Sequence, residues 1–210
     1  LAQDRVEKAG VAGGVRPSVE GQLLGGSTRV LSIGSDISQN ETSRTGAEGT
    51  AHLMFTDKST LTIGPNSEVV IDRFVYQPET GTGELSVAAS KGVLRFVGGA
   101  LSKSGSVNIN TPLGTLGIRG AISHIVFDEP STGPGAGVAG DVIEGATAAP
   151  APVEPGPVLT VSFIYGEELI FTPPGSSDKV FLRQQEHSLK VFPNGDTDVG
   201  AMNLAELTDA

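Results

Sequence analysis

Ala51-His-Leu-Met-Phe55, Thr60-Leu-Thr-Ile63 and Glu68-Val-Val-Ile71 follow one another with little between them but Asp57-Lys58-Ser59 and Gly64-Pro65-Asn66. The block they open closes on Thr111-Pro-Leu-Gly-Thr-Leu-Gly-Ile-Arg-Gly120. Short apolar or alternating runs separated by Asp, Gly, Pro and Asn are the pattern of β-strands and tight turns. Working outward, Gly83-Glu-Leu-Ser-Val87 and Gly92-Val-Leu-Arg-Phe-Val97 predict two further strands, and Ser106-Val-Asn-Ile-Asn110 and Ala121-Ile-Ser-His-Ile-Val-Phe127 one each. Upstream, Val15, Val19, Leu23-Leu24, Val30-Leu31 and Ile33 recur between glycine pairs and predict two or three short strands.

Beyond Phe127 the composition changes. Glu129 to Pro157 is dense in Pro and Gly and poor in large apolar residues, a long loop or linker. Strands resume at Val158–Tyr165, Glu168–Phe171, Lys179–Leu182 and Ser188–Phe192, with Pro173-Pro-Gly175 and Pro193-Asn-Gly195 as turns. Asn203-Leu-Ala-Glu206-Leu carries Asn and then Glu three residues on, a capping pattern that predicts a short C-terminal helix. The chain therefore divides into an N-terminal extension (1–10), a β domain (11–128), the Gly/Pro-rich insertion (129–157), trailing strands that complete the domain (158–200) and a helical tail (201–210). The fold class is all-β, either an antiparallel β-sandwich or a short β-solenoid of many short strands.

Composition agrees with this. The 210 residues include 29 Gly and 13 Pro, with 5% aromatic and 18% charged residues, which describes a turn-rich β protein long enough to bury a core. There is no cysteine, which excludes disulfides, thiolate chemistry and Cys-based zinc sites. A formal charge of −10 disfavours phosphate backbones and anionic lipid as partners. No apolar run approaches the roughly 20 residues that span a bilayer. Leu1-Ala-Gln-Asp4 reads either as the start of a mature exported chain or as an arbitrary boundary.

The opening block resembles the FecR domain, an all-β module of bacterial envelope and exported proteins. The resemblance rests on Phe55-Thr-Asp-Lys-Ser59, Leu61-Thr-Ile-Gly-Pro-Asn-Ser-Glu68, Ile71-Asp-Arg-Phe74, Lys91-Gly-Val-Leu-Arg-Phe96 and Thr111 to Gly120. It covers roughly Val30 to Phe127 and extends more loosely over Val158 to Val199. It implies an exported, non-catalytic domain, periplasmic, cell-surface or extracellular, that works by contact with a protein partner. The best-known members carry a siderophore-receptor signal through a transmembrane helix and a cytoplasmic segment, neither of which appears in these 210 residues. Only the β module is therefore carried over. Where the family usually has Asp-Gly-Ser, this sequence has Asp57-Lys58-Ser59, which suggests a slightly different turn.

The residues themselves point to no catalytic, cofactor or metal site. His52, His124 and His187 lie far apart, and Tyr76 and Tyr165 read as edges of the core. No G-x-S-x-G elbow or phosphate loop occurs, and Glu167 and Glu168 alternate faces on a strand rather than forming an acid–base pair. Asn194, Asp196 and Asp198 resemble a calcium loop, but Val199 and Ala205 stand where its glycine and glutamate belong. Arg119 is expected to form a structural ion pair with Asp57, Glu68 or Asp72. The alternative to an envelope scaffold or sensor is a structural subunit that assembles with copies of itself into a filament or array, using open strand edges and residues 1–10.

Overall fold

The computed structural model describes residues 7–104, 106–128 and 158–202, so the Glu129–Pro157 tract, the C-terminal helix and Leu1-Ala-Gln-Asp4 lie outside the described residues. Among the described residues the chain is all-β but for α1 (Ala100–Lys103). One sheet, A, runs from edge to edge as β4 (Asp36–Ser38), β1 (Lys8–Arg16), β6 (Thr50–Phe55), β7 (Thr60–Ile63), β9 (Thr82–Val97), β12 (Ile122–Asp128), β13 (Val158–Tyr165), β16 (His187–Val191) and β17 (Thr197–Ala201). The other, B, runs β3 (Thr28–Val30), β2 (Val19–Leu23), β5 (Glu41–Thr45), β8 (Glu68–Gln77), β9 again, β10 (Val107–Thr111), β11 (Gly114–Arg119), β14 (Glu168–Thr172) and β15 (Val180–Leu182). All pairings are antiparallel except β9 with β10, which is parallel. The inner faces enclose one hydrophobic core, so of the two expected forms the sandwich is the one observed. Phe55 of sheet A and Phe74 of sheet B stack across it at 5.5 Å.

β9 belongs to both sheets. The sequence predicts two strands here, and the structure has one of sixteen residues. In its first half Leu85, Val87 and Ala89 are buried, and in its second Leu94 and Phe96, so the inward positions change from odd to even. The reason is geometric, because the inner faces of two facing sheets point in opposite directions. A strand that passes from one sheet to the other must therefore turn its side chains over, and with a side-chain period of two this takes a slip of one residue. The slip is the bulge between Val69↔Ala89 and Glu68↔Lys91, followed by Gly92 at φ +92°. Ser67 holds the crossing, its Oγ accepting from Val93 N–H at 3.0 Å. A Cβ on Gly92 would fall on Ser67 Oγ and Cα.

A second fastening joins Asp57 to the start of α1. Asp57 is 1% exposed, and its carboxylate accepts from Ser59 N–H (3.0 Å), Ser59 O–H (2.6 Å) and Leu101 N–H (3.1 Å). Ser59 Oγ in turn accepts from Gly99 N–H at 2.9 Å. Gly99 cannot carry a side chain, because a Cβ there would strike the backbone of Asp57 to Ser59. Lys58 sits at φ +70°, so the turn keeps the left-handed conformation that glycine takes without strain, here with a lysine.

Asp57 is thus a hydrogen-bond hub and not the partner of Arg119. Neither are Glu68, which pairs with Arg44 and Lys91, nor Asp72. Arg119 Nη1 lies 3.4 Å from Glu168, which also meets Arg183 at 2.9 Å. The ion pair is structural, as expected, but its partner comes from β14, directly opposite Arg119 in the ladder. In the Thr111–Gly120 segment, Pro112-Leu113 is the turn of the β10–β11 hairpin, closed by Thr111 Oγ1 donating to Gly114 O at 2.8 Å. Gly117 has neither positive φ nor a close neighbour, unlike Gly114 and Gly120.

These two observations set apart glycines that look alike in sequence. Gly92→Ala is expected to cost about 3 kcal/mol or more, and Gly117→Ala less than about 0.5 kcal/mol, by urea unfolding at constant m-value. Equal costs would remove the face-reversal account of β9. Asp57→Ala should cost roughly 2–4 kcal/mol in the same assay, because it strands two buried N–H donors. A loss under about 1 kcal/mol would show that water replaces the carboxylate.

Candidate functional site

The outer face of sheet A carries a row of polar side chains set by strand register. His52 of β6 stands opposite Thr62 of β7, Thr62 opposite Arg95 of β9, Arg95 opposite His124 of β12, and His124 opposite Ser162 of β13. Each is flanked along its own strand by residues that face the core, such as Leu53, Leu61, Leu94 and Ile125, so alternation turns it outward. The row was not legible in the sequence, where the histidines are 72 positions apart at their closest other than His124 to His187. Alternation shows which face a residue takes, but only register shows which residues line up.

Beside this row a cavity of about 610 Å³ opens, lined among others by Arg16, Glu48, His52, Arg95 and His124. Its second row of residues is Arg16 of β1, opposite Thr50 of β6, followed by Gly64 and Val93, whose backbones are joined by Gly64 N–H donating to Val93 O at 2.7 Å. Gly64 has no side chain to fill the space. His52 leans over Gly14, where a Cβ would meet its ring, and its Nδ1 lies 2.9 Å from Thr62 Oγ1. Among the described residues neither Arg16 nor Arg95 has an ion-pair or hydrogen-bond partner.

His124 is 3% exposed, and both ring nitrogens are buried without a hydrogen-bond partner among the described residues. Burial, and secondarily the Arg95 guanidinium, hold its pKa below the ordinary 6.5. His52 and His124 are three strand spacings apart, roughly 14 Å, so they flank the cavity and do not share an ion. His187 is elsewhere, opposite Phe163 on β13. Among the described residues no group of three or more His, Cys, Asp or Glu is placed to hold a metal. Asn194 and Asp196 bond to each other in the β16–β17 turn, and Asp198 stands in β17. Tyr165 is exposed and Tyr76 packs against the core.

A second feature lies on sheet B. Its edge strand β3 is exposed throughout, and Leu24, Val30 and Ile33 around it are 89%, 73% and 72% exposed. Arg29 of β3 pairs at 2.6 Å with Glu41 of β5, which is fully buried and also accepts from Ser38 N–H. The pair passes over Gly21 of β2, where a Cβ would collide with Glu41. The edge is thus held in place while its apolar side chains face solvent.

The fold and these surfaces define a two-sheet β module with one core. The family model described as FecR protein matches residues 41–145, half of the chain, and the chain belongs to this family. No curated protein matches it. Two crystal structures of a candidate anti-sigma factor from Parabacteroides distasonis share the fold, with TM-scores of 0.53 and 0.51 at 11% and 12% identity. Each match covers 80% of this chain and 62% of that one, so the chain spans under two thirds of its structural neighbour. No helix among the described residues is long and apolar enough to cross a membrane.

The pKa of His124 gives a signed prediction. Because the unfolded ring takes up its proton at higher pH than the folded one, stability should be level above about pH 7 and fall as pH drops through 6.5 towards the folded value. Urea midpoints between about pH 7.5 and 5.5 should therefore fall more for the natural chain than for His124→Gln. Parallel losses would assign the titration to another group.

Proposed function

We propose that this chain is a non-catalytic, exported module of the cell envelope that senses or scaffolds through protein–protein contact. Family membership supports it, as does the likeness of fold to a candidate anti-sigma factor, a regulatory class of protein. The observation that carries it is the edge of sheet B, where Leu24, Val30 and Ile33 are exposed beside a strand with one side unpaired among the described residues. Soluble proteins seldom leave an apolar strand edge open without a use for it. An extended segment of a partner could pair with β3 through its backbone and cover these side chains.

The rival reading, a subunit of a self-assembling filament, draws on an edge of the other sheet, β17, whose five residues are all exposed and which has one neighbour among the described strands. Two open edges are what head-to-tail addition of copies requires. Residues 1–10 fit less simply as a strand donated to a neighbour, because Lys8 to Gly10 already pair within the chain, with β4 and β6.

A photo-crosslinking residue at Val30 or Ile33 in the exported chain separates these readings. The expected result is one discrete adduct with a different protein in the envelope fraction, absent when the same residue replaces Glu79 in the β8–β9 turn and lost in Leu24→Asp. Adducts that are multiples of the chain's own mass would favour assembly instead. Absence of any adduct at β3, or recovery of the chain only from the cytoplasm, would remove the envelope-contact reading.

A further inference from the structure

The cavity on sheet A has the makings of a ligand site that the protein-contact reading does not use. Its charged groups are Arg16 and Arg95, both without partners among the described residues, and one acid, Glu48. That leaves an excess of one positive charge in a chain whose formal charge is −10. Surplus cation in an acidic protein, gathered at a concavity, favours an anion there. Glu48 weighs against a dianion, so the balance fits a single negative charge. Val93, Pro65 and Ile164 add apolar lining, and about 610 Å³ lies within the range of small-molecule sites.

His124 is an independent observation. A buried imidazole with neither nitrogen satisfied is costly, and such a group calls for a partner that none of the described residues supplies. It lies next to Arg95 in the ladder and lines the same cavity. We propose that this cavity binds a small organic monocarboxylate, with the carboxylate held by Arg95 and Arg16 and the apolar body against Val93, Pro65 and Ile164. A planar guanidinium suits a carboxylate through paired N–H donors. The His124 ring stands beside Arg95 in the lining, its nitrogens beneath the surface. The carboxylate can belong to a free acid or to the C-terminus of a peptide, since both present the same group.

Titration of the whole isotope-labelled chain with hexanoate tests this by NMR. Saturable shifts are expected at the Arg95 side chain and the His124 ring, with hexanamide giving none and inorganic phosphate binding more weakly. Affinity should fall about fivefold or more in Arg95→Gln and, separately, in Arg16→Gln. It should not change in Arg73→Gln, whose guanidinium pairs with Glu84 on sheet B. An acetylated tripeptide with a free C-terminus, compared with its amide, identifies the source: tighter binding than hexanoate points to a chain end, weaker binding to a free acid. No saturation by about 20 mM of either, or equal affinity in both arginine variants and the natural chain, would overturn the proposal. So would equal binding of phosphate. The cavity and the β3 edge lie on different sheets, and failure at one leaves the other standing.

Discussion

The fold depends on one strand that serves two sheets. Where β9 leaves sheet B for sheet A its inward face must reverse, and the bulge near Ala89, the left-handed Gly92 and the Ser67 hydroxyl accomplish this within a few residues. β8 and β10 flank the first half of β9, and β7 and β12 flank the second, so the neighbours in both sheets take their register from the same strand. A wrong phase at Gly92 would put Leu94 and Phe96 outside and Arg95 inside. Burying an unpaired guanidinium while exposing two large apolar side chains is a strong penalty, which makes the crossing a selector of the correct fold.

This explains what the sequence could and could not show. The runs around Leu61, Leu85, Leu94 and Val161 alternate clearly, and their strands stand where alternation predicts. The phase break at Lys91-Gly92 reads as a strand boundary because, in sequence, a reversal of face and an interruption look the same. β5 was harder to see, since Glu41, Ser43 and Thr45 face inward despite being polar. Glu41 is accepted there because Ser38 N–H donates to it and Arg29 reaches it across Gly21, contacts that exist in three dimensions alone. Arg119 was placed correctly as half of an ion pair, but its acid came from beyond the long insertion, through the pairing of β11 with β14.

The motif residues shared with the family divide by the same logic. Asp57, Ser59, Ser67 and Gly92 are concerned with backbone groups: they satisfy N–H donors at turns or leave room for another chain segment. None of them points into the cavity on sheet A. Thr62 and Arg95, from the same motifs, do line it together with His52 and His124, and they occupy the outward positions of strands whose inward positions build the core. A strand with period two can thus change its outer residues without disturbing the fold.

The inner residues are tied together in one cluster, so substitution there is felt throughout. The outer row lies outside that cluster, although His124 and Ser162 in it are buried while facing away from the core. A buried imidazole beside a guanidinium without a partner among the described residues lowers stability. It stands in a row that lines a cavity, so the residues that weaken the empty fold lie where the proposed ligand would add its contacts.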